Sequence, residues 1–384
     1  MKITKIETLC LSRLHEPERQ WMTAYFRAIK ADCAVIVIHT DDGLQGIGEA
    51  SAYGWPRLIQ EWVDWLAPTL VGKDPQDPEI WPHPNGQSRP YDAAVAGIDC
   101  ALWDLKGKIA GKRTSELLTE SPLERVRLYA SSGCRYDWRE RPQQLIEEAL
   151  EYIDQGYTAM KFRIGTHWEW DKITVDRFLG LVRELNQTVD GRMELMLDGN
   201  SRLTEEQALP IAMELDKLGF TWFEEPIPNK GKEGVEGYAR LNAAVDMPIT
   251  GGESLATLEQ FRPYLEKNAY GIVQQDAGIC GISEVMRIAE MGYQHGVDTC
   301  PHSWHNGLMA MAHAHVVAAL SKPRVVELCM IQGPLQWGIL AEPPVIENGW
   351  LILPDKPGLG VDLADDLETK FPYIEGHYAI EVIR

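Results

Sequence analysis

The amino-acid sequence predicts an α/β protein organised around a β/α barrel. Between Val126 and Leu328, eight short apolar stretches alternate with segments that have the spacing of amphipathic helices. Most of these stretches end at a polar or charged residue. Strands that alternate with helices indicate a parallel sheet, and polar residues at successive strand ends are typical of the catalytic face of a β/α barrel. We therefore expect the functional site at the carboxyl ends of these strands.

The polar residues at the predicted strand ends form one series along the chain. They are Lys161 and Arg163 in the run 160–165, and then Asp198, Glu224, Glu253, Asp276, His302 and Glu327.

The chain before the barrel combines predicted strands and helices. The strands are expected over residues 2–12, 32–39 and 44–49, and the helices over residues 58–70 and 93–110. The Asp41-Asp42-Gly43 turn joins the second and third strands into a hairpin.

Three further segments of this region are predicted loops. Residues 81–90 contain three prolines and several polar residues before Tyr91. Residues 20–30 and 51–56 are rich in Trp, Tyr and Arg. Their aromatic side chains either pack in the ordinary way or form a lid over a pocket.

The barrel helices carry end signals. Residues 143–155 form a predicted helix that stops at Gly156, Thr204 and Gln207 fit a capping box at the start of another, and residues 282–295 form a third.

The sequence also suggests where the parts of the chain begin and end. A boundary near residues 121–124 precedes the first barrel strand, and the chain becomes polar after residue 354. Residues 378–383 have the pattern of a strand, which we expect to pack back on the N-terminal region. The predicted division is 1–124, 125–353 and 354–384.

Composition excludes several classes of protein. The 384-residue chain has a formal net charge of −20, which argues against nucleic-acid binding because that function needs basic patches. Its seven cysteines are scattered along the chain, and no two of them form a Cys-x-x-Cys motif. This pattern favours a reduced cytoplasmic protein and does not favour a zinc site. We see no apolar run long enough for a membrane helix and no signal peptide. An anionic substrate would need a local cation, which a carboxylate cluster could hold.

Three acidic residues predict such a metal site. Asp198, Glu224 and Glu253 end three successive predicted strands, spaced by 26 and 29 residues. At neighbouring strand ends they would raise one another's pKa values unless a cation lay between them. Hard oxygen ligands suit Mg²⁺. The alternative is that these residues are N-caps of the helices that follow.

Asp276 and His302 end the next two predicted strands and suggest a general base. A carboxylate that accepts a hydrogen bond from one imidazole nitrogen fixes the tautomer and raises the basicity of the other nitrogen. The alternative is a structural histidine. His313 and His315 lie two positions apart on a predicted helix, so they face apart and cannot bind one metal ion together.

Lys161 and Arg163 point to the same side of their strand, and both can face the mouth of the barrel. Structural ion pairing inside the barrel is the alternative. Glu327 ends the last strand and is either an electrophile or hydrogen-bond donor, or a salt-bridge partner.

Together these motifs resemble the enolase superfamily, and within it the mandelate racemase-like subgroup. Besides the site residues, the similar segments are residues 41–50, residues 97–108 (Gly-Ile-Asp-Cys-Ala-Leu-Trp-Asp-Leu-Lys-Gly-Lys) and residues 357–361 (Pro-Gly-Leu-Gly-Val). The resemblance covers nearly the whole chain. It implies a (β/α)₇β barrel, an N-terminal α+β capping domain completed by the C-terminal segment, one Mg²⁺ ion and a homo-oligomer.

The chemistry that the resemblance implies is removal of the proton α to a carboxylate through an enediolate, which Mg²⁺ stabilises in this family. The implied roles are metal binding for Asp198, Glu224 and Glu253, neutralisation of the substrate carboxylate for Lys161, the base for His302 with Asp276, and polarisation of a carboxylate oxygen for Glu327.

Two other subgroups are less similar. Muconate-cycloisomerase-like members carry a basic lysine after the sixth strand, and residues 276–284 contain none. Dipeptide epimerases have Asp-x-Asp at the eighth strand, where this chain has Glu327-Leu328-Cys329.

Arg163 departs from the subgroup pattern, which often has a second lysine at that position. A guanidinium keeps its proton and is a poor base, although it holds carboxylates well. A site with one base favours elimination over racemisation. We therefore expect a Mg²⁺-dependent acid-sugar dehydratase that forms a 2-keto-3-deoxy acid. The alternatives are a racemase, epimerase or lactone cycloisomerase acting through the same intermediate, and a non-catalytic metal-binding homologue.

The expected substrate is a small acid-sugar carboxylate, and neither nucleic acid nor membrane is an expected partner. Its predicted contacts lie in the aromatic segments and near the His302 strand end: Trp21, Tyr25, Tyr53, Asn200, Trp304 and His305.

Overall fold

The computed structural model describes residues 1–23, 26–165, 168 and 172–381. The elements of the N-terminal part are β1 (Ile3–Leu14), β2 (Trp21–Met22), β3 (Phe26–Ala28), β4 (Lys30–Thr40), β5 (Gln45–Ala50), α1 (Pro56–Leu70), α2 (Arg89–Ala110) and α3 (Thr114–Leu118). No helix among the described residues is long and apolar enough to cross a membrane.

The second part of the chain alternates strands and helices. Its elements are β6 (Arg125–Ser131), α4 (Gln144–Asp154), β7 (Ala159–Arg163), α5 (Val175–Val189), β8 (Glu194–Asp198), α6 (Glu205–Lys217), β9 (Trp222–Glu224), α7 (Gly231–Ala243), β10 (Ile249–Gly251), α8 (Leu258–Glu266), β11 (Ile272–Val273), α9 (Ala277–Gln294), β12 (Asp298–Thr299), α10 (Gly307–Ala319) and β13 (Val326–Cys329). The elements after the barrel are α11 (Pro334–Gly338), β14 (Ile346–Glu347), β15 (Trp350–Ile352), α12 (Leu367–Lys370) and β16 (Ala379–Glu381).

The N-terminal part is an antiparallel sheet covered by helices. β4 lies between β1 and β5, and the predicted hairpin joins β4 to β5. Helices α1 and α2 bury their apolar faces against this sheet. α2 comes close to β5 because the strand has glycines: a Cβ at Gly46 or Gly48 would lie 2.2 or 2.3 Å from a carbonyl oxygen of α2. The close approach therefore depends on glycine at both positions.

The second part is the predicted barrel. Strands β6 to β12 pair in sequence order, all parallel, and β13 pairs in parallel with β6, so that the last strand lies beside the first. Seven strand–helix units and a final strand make up the barrel, which confirms the (β/α)₇β fold with an N-terminal cap. Parallel pairing brings the carboxyl ends of the strands to one end of the barrel, and Asp198 lies opposite Glu224 in the β8–β9 ladder.

An apolar layer lies directly beneath these strand ends. It is a separate buried cluster contributed mostly by barrel strands: Tyr129, Ala159, Met196, Trp222, Ile272, Cys300 and Val325. The Trp222 indole donates a hydrogen bond to Glu224 at 3.2 Å, and Lys161 Nζ lies 5.7 Å from the centre of the Tyr129 ring. The layer is therefore the floor of the polar site.

The chain after the barrel returns to both earlier parts. β14 and β15 form a hairpin whose second strand pairs with β6, and β16 pairs antiparallel with β3 of the N-terminal part. The return to the N-terminal part was expected from the strand-like pattern of the tail. The division of the chain at residues 124 and 353 stays a prediction.

The N-terminal part also holds two barrel loops in place. Glu49 of β5 is buried, and its carboxylate accepts hydrogen bonds at 2.9 Å from the backbone N–H groups of Asn306 and Met309 at the start of α10. The Ser51 N–H donates to the carbonyl of Gly278 at 2.9 Å. The segments that follow β11 and β12 are thus attached to β5.

Three elements differ from those predicted. Residues 20–30 contain the short strands β2 and β3 and not only a loop, because β3 gains hydrogen-bonding partners in β2 and β16. Helix α2 begins at Arg89, where a proline in the first turn suits a helix start. Helix α9 begins at Ala277, before the predicted residue 282, because Asp276 caps it. Gly281, with a φ of +82°, interrupts its helical spacing and hides the first turn from sequence analysis.

Candidate active site

All eight predicted strand-end residues lie at one end of the barrel, where short side-chain contacts and the pairing of Asp198 with Glu224 in the β8–β9 ladder connect them. Seven are buried, and Glu253 is partly exposed with 23% of its side chain accessible. Charged groups that are removed from water are costly unless they have partners. The partners of each group therefore show how the site is built.

Lys161 is fully buried between two carboxylates. Its Nζ lies 2.6 Å from Glu224 Oε1 and 3.1 Å from Glu327 Oε1. Burial alone would lower the pKa of Lys161, but Glu224, Glu327 and Asp198 together raise it above its usual value. Lys161 is therefore a charged ammonium group in this arrangement.

Arg163 lies against the cavity and contacts an aromatic ring. Its guanidinium carbon is 3.9 Å from the centre of the Trp304 ring, and its Nε is 3.6 Å from Asp198 Oδ2. Burial opposes the charged form, but Asp198 and other acidic neighbours raise the pKa of Arg163 above its usual value. Arg163 therefore keeps its proton, as expected from its chemistry.

The three predicted metal ligands are not helix N-caps. The residues that cap α6, α7 and α8 are Thr204, Lys230 and Thr257. Asp198, Glu224 and Glu253 instead end or follow the adjacent strands β8, β9 and β10. The N-cap interpretation of these three residues is therefore wrong.

Polar neighbours hold the three acidic side chains in place. Both oxygens of Asp198 accept from Asn200, at 2.7 Å from its backbone N–H and 2.7 Å from its side chain. Glu224 Oε2 accepts from Gln274 Nε2 at 2.6 Å. Glu253 Oε2 lies 3.1 Å from His302 Nε2.

The donor set suits a divalent cation. Burial raises the pKa of Glu224 to about 7, and Asp198, Glu327 and Glu253 add to the rise while Lys161 opposes it. Carboxylates that raise one another's pKa values in this way are stabilised when a cation lies between them. All three side chains offer oxygen, which hard cations prefer.

Asp276 connects two histidines. His302 Nδ1 and His305 Nε2 both donate to Asp276 Oδ2, each at 2.7 Å, because an ionised carboxylate can only accept. The other oxygen, Oδ1, accepts from the Gly278 N–H at 2.7 Å. Asp276, His302 and His305 form the one cluster of potential ligand atoms within 4.8 Å among the described residues. Since both rings already bond Oδ2, we interpret it as a hydrogen-bonded cluster.

His302 lines the cavity, and its second nitrogen, Nε2, lies 3.1 Å from Glu253 Oε2. Burial lowers its pKa, but Glu253, Glu327 and Asp276 raise it to about 10. A histidine held at Nδ1 by a buried carboxylate has the orientation of a general base at Nε2.

Glu327 is an ion-pair partner in this arrangement. Oε1 accepts from Ser131 Oγ at 2.5 Å and contacts Lys161, and Oε2 accepts from the Ser303 N–H at 2.6 Å. Burial raises the pKa of Glu327, but Lys161 and His302 lower it below its usual value. The ionised group accepts hydrogen bonds and does not donate them, so the salt-bridge interpretation describes this state.

His313 and His315 face apart, as predicted. His313 Nε2 accepts from the Ala277 N–H at 3.0 Å, and His315 Nδ1 accepts from the Ser115 N–H at 3.3 Å. The His313 ring thus contacts the start of α9, and the His315 ring contacts α3.

A cavity of about 330 Å³ opens above the strand ends, within the usual range for a small-molecule site, about 300–1,000 Å³. The predicted residues that line it are Trp21, Tyr53, Arg163, Asn200, Glu253, His302 and Trp304. Lys161, Asp198, Glu224, Asp276 and Glu327 do not line it and lie deeper. Tyr25 lies outside the described residues.

His305 differs from its expected position. It does not line this cavity, because the chain after His302 turns back toward the cap and directs the His305 ring at Asp276. A direct contact between His305 and substrate is not supported by this position.

The aromatic segments both pack together and cover the cavity, so the two interpretations are compatible. Trp21 and Trp304 meet edge to face with ring centres 5.7 Å apart. The Tyr53 hydroxyl donates to the carbonyl of Trp304 at 2.8 Å. Their partner from the tail, Tyr378, has its ring centre 5.6 Å from that of Phe26.

Sequence analysis missed several residues of the cavity wall. They are Arg89, Arg202, Glu225, His377 and Tyr378. Glu225 could have been found, because it follows Glu224 directly. Arg202 could have been found too, because it lies two residues after Asn200. The other three reach the cavity through contacts between distant parts of the chain, and the sequence gives no local signal for them.

The fold and the site define a capped (β/α)₇β-barrel protein with buried carboxylates and a histidine–aspartate pair at the carboxyl ends of its strands. The family profile described as mandelate racemase/muconate lactonizing enzyme, N-terminal domain, matches residues 7–119. The profile described as enolase C-terminal domain-like matches residues 144–367. The chain belongs to the mandelate racemase/muconate lactonizing enzyme family of the enolase superfamily, which confirms the resemblance.

Individual relatives cover nearly the whole chain. The chain is 31% identical to D-galactarolactone cycloisomerase of Agrobacterium fabrum, over 97% of this chain and 99% of that protein. It is 32% identical to arabinonate dehydratase of Saccharolobus solfataricus, over 87% and 89%. The crystal structure of 3,6-anhydro-D-galactonate cycloisomerase from Zobellia galactanivorans is similar with a TM-score of 0.82 and 28% identity, over 97% and 99%.

Proposed function

We propose that this chain is a Mg²⁺-dependent acid-sugar dehydratase. It would remove the proton α to a sugar-acid carboxylate and then eliminate the β-hydroxyl as water. Relatives named as dehydratases of arabinonate and of D-galactonate support this class of substrate and reaction. The position of His302 carries the proposal: it lines the cavity, its Nδ1 is held by buried Asp276, and its Nε2 lies beside Glu253, which also lines the cavity.

Asp198, Glu224 and Glu253 would hold the Mg²⁺ ion, which would stabilise the negative charge that develops on the substrate carboxylate. Lys161 contributes a buried positive charge beside one of these ligands, Glu224, and beside Glu327. A proton next to a carboxylate is only weakly acidic, so stabilising the resulting charge is the main demand on such a site.

His302 would move the proton in both steps. A cation held by Glu253 and its neighbours would offset the negative charge that raises the pKa of His302 and would leave Nε2 neutral. Neutral Nε2 then takes the α-proton, and the electrons of the C–H bond form the enediolate. The imidazolium is stabilised by Asp276 and then donates the same proton to the β-hydroxyl. The C–O bond breaks, water leaves, and the enol product tautomerises to a 2-keto-3-deoxy acid. One residue thus acts as base and then as acid.

Arg163 favours elimination over racemisation. Racemisation needs a proton acceptor on each face of the planar intermediate. Arg163 lies on a strand that is not adjacent to that of His302. It keeps its proton, so it would bind a substrate carboxylate and would not accept a proton. Lys161 is engaged with two carboxylates beneath the cavity. His302 is therefore the single base of the proposed mechanism.

A lactone cycloisomerase is the second candidate, since the relative from Agrobacterium fabrum matches across nearly its full length. Isomerisation leaves the composition of the substrate unchanged, whereas dehydration releases one water. The mass of the product therefore separates the two reactions.

The test is incubation of the Mg²⁺-supplemented protein in D₂O with a library of acid sugars and their lactones, present as both α-epimers. We expect keto-acid formation with loss of water from one α-epimer only. His302→Asn should abolish it, while His295→Asn, an exposed histidine on the outside of the barrel, should not. Interconversion of the epimers without keto acid, or stereorandom deuterium uptake, would refute the dehydratase.

The same assay tests the single-base argument. Arg163→Lys places an amine that can titrate where the guanidinium cannot, and we expect slow deuterium exchange of the opposite α-epimer in this variant. If the unmodified protein already exchanges both epimers at similar rates, Arg163 does not prevent two-base chemistry.

A further inference from the structure

His305 is a second imidazole on the carboxylate that holds the proposed base. Its Nε2 lies 2.7 Å from Asp276 Oδ2, the same oxygen that His302 Nδ1 approaches at 2.7 Å. The proposed mechanism gives a role to Asp276 and His302 and none to His305. His305 is buried and does not line the cavity above the strand ends. Any effect of His305 on the reaction must therefore pass through Asp276.

The two imidazole rings restrict the orientation of the Asp276 carboxylate. The planes of the His302 and His305 rings are at 88° to each other, and their centres are 6.2 Å apart. Oδ2 therefore accepts hydrogen bonds from two rings that lie in different planes, while Oδ1 accepts from the Gly278 N–H at 2.7 Å. Without His305, Oδ2 would be held only by the ring that it has to orient.

The close approach of His305 to Asp276 depends on a glycine. A Cβ at Gly278 would lie 2.8 Å from His305 Nε2 and 3.1 Å from Asp276 Oδ1. The first of these distances is shorter than real Cβ contacts. Glycine at this position thus leaves the space in which the His305 ring reaches Oδ2.

The N-terminal part of the chain holds His305 from its other side. The Tyr53 ring packs against the His305 ring with centres 5.6 Å apart, and the Tyr53 hydroxyl donates to the Trp304 carbonyl at 2.8 Å. The next residue, Asn306, donates its backbone N–H to the Glu49 carboxylate at 2.9 Å. His305 is therefore fixed on both sides by contacts that do not involve Asp276.

Asp276 is an ionised acceptor toward both rings. Burial raises the pKa of Asp276, but His305 and His302 lower it well below its usual value. Since an ionised carboxylate only accepts, His302 donates from Nδ1 and His305 donates from Nε2. Hydrogen bonds to a charged group are stronger than those between neutral groups. Loss of the His305 donor would therefore leave a buried charge with one strong partner fewer.

We propose that His305 is a positioning residue, whose hydrogen bond to Asp276 Oδ2 holds this carboxylate in the orientation that aligns His302 for proton transfer. The unit that positions the base is then His–Asp–His and not a His–Asp pair. The inference rests on the proposed function, which assigns the proton transfer to His302. Because reaction rates depend steeply on the alignment of the reacting groups, a rotated Asp276 would slow the chemical step and leave substrate binding unchanged.

The test compares two replacements of His305 in the Mg²⁺-supplemented protein. His305→Gln places an amide nitrogen near the position of the imidazole Nε2 and keeps a donor to Oδ2, whereas His305→Phe keeps a ring and has no donor. We expect kcat for keto-acid formation to fall about 10- to 100-fold in His305→Phe, the effect of losing a hydrogen bond to a charged group. In His305→Gln it should stay within about fivefold of the parent. KM should change by less than about twofold in both variants, since His305 does not line the cavity.

His315→Phe is the matched control, because His315 is also a buried histidine but contacts α3 and not Asp276. Its kcat should stay within about twofold of the parent. Circular dichroism checks that each variant is folded. If His305→Phe is not folded, His305→Asn takes its place, because its shorter amide cannot reach Oδ2. A parent-like kcat without the donor, or an equal loss in His305→Gln, would overturn the inference and leave the proposed function intact.

The hydrogen-bonded N–H of His302 gives a second readout that needs no turnover. In protein with isotope-labelled histidine, this Nδ1–H should give a downfield proton resonance, which is identified by its loss in His302→Asn. We expect the resonance to persist in His305→Gln and to broaden or disappear in His305→Phe. If no acid sugar is turned over, the proposed function fails, and this loss in His305→Phe would still support positioning by His305. An unchanged resonance in His305→Phe would overturn it.

Discussion

The two ends of the barrel carry the same kinds of charged pairs in opposite surroundings. At the amino ends of the strands, Arg127 and Glu194 meet through two contacts of 2.8 and 3.1 Å, with 28% and 46% of their side chains exposed. At the carboxyl ends, Lys161 meets Glu224 at 2.6 Å with exposures of 0% and 1%. The contact distances of the two pairs are similar, but the loss of hydration free energy is much larger for the buried pair.

Exposed pairs and buried pairs serve different purposes. A solvent-exposed ion pair contributes between zero and about 1 kcal/mol. In a buried pair, the electrostatic attraction only about offsets the lost hydration free energy. Apolar residues in the same positions would therefore often stabilise the fold equally well. The buried charges of Lys161, Glu224 and Glu327 are therefore better explained by a role in catalysis than by a contribution to stability. The amino ends of barrel strands are the place for stability, and the carboxyl ends for function.

The largest contrast is expected for Glu224→Gln against Glu194→Gln. The first removes a proposed metal ligand and should lower Mg²⁺ affinity by more than about 100-fold, since changes to groups outside the ligand shell already cost 10- to 100-fold. Turnover should be lost. The second changes an exposed pair and should alter neither. Magnesium titration by calorimetry and the keto-acid assay measure both. Full activity of Glu224→Gln after chelation would show that the ligand assignment is wrong.

Asp276→Asn against Asp298→Asn compares the two ends through the base. Asp276 holds His302, so its neutral analogue should select the wrong tautomer and lower kcat by about 10⁴. Asp298 begins β12 and pairs with Arg324 at 2.8 Å at the amino end. Its substitution should leave kcat within about twofold, as an exposed pair has no role at the site. Near-parent activity of Asp276→Asn would make the pair with His302 structural.

Lys161→Met against Arg127→Met tests the comparison by stability, without added metal. The first leaves Glu224 and Glu327 buried together without their cation and should lower the free energy of unfolding by about 3–5 kcal/mol. The second should lower it by less than about 1 kcal/mol. Urea unfolding at pH 8 measures both. Equal losses would mean that burial does not separate the two ends.

His315 sharpens the comparison, because it is a buried titratable group far from both sets of pairs. Burial lowers its pKa to about 4, against about 6.5 in the unfolded chain. Below pH 6.5 the unfolded state binds a proton that the folded state refuses. Stability should therefore fall by up to about 3 kcal/mol as the pH drops from about 6.5 to about 4, and then level off.

Urea unfolding across this pH range measures the effect of His315. His315→Leu should remove the share of the slope that His315 contributes between about pH 6.5 and 4, whereas His15 and His313, whose pKa values burial also lowers to about 4, keep their own shares. His295→Leu on the surface should leave the slope as in the parent. A parent slope that persists in His315→Leu would assign the pH dependence to other groups.

The strand ends were predictable from sequence because their information is local. The barrel strands are recognisable in the sequence as short apolar runs, most of which end at a polar residue. The predicted capping box of Thr204 and Gln207 forms both of its hydrogen bonds in the structure. Parallel pairing then brings Asp198 and Glu224 side by side without further assumptions.

The rest of the site could not be predicted because it depends on contacts between distant segments. Arg89 reaches the cavity through the packing of α2 on the cap, and Tyr378 reaches it through the pairing of β16 with β3. His305 was expected at the substrate and instead binds Asp276, since Glu49 of the cap holds the following turn. None of these three contacts is visible in the local pattern of residues.

During synthesis of the chain, strand β3 is made long before β16, one of the two strands that pair with it. Ala28 of β3 pairs with Ala379, about 350 residues later. At a ribosomal rate of about 5–20 residues per second, β3 waits roughly 20 to 70 seconds for this partner. The barrel strands emerge in that interval, whereas the wall that holds Tyr378 does not yet exist. The last barrel strand ends at Cys329, about 50 residues before Ala379, so synthesis of the barrel is completed roughly 3 to 10 seconds before this wall can form.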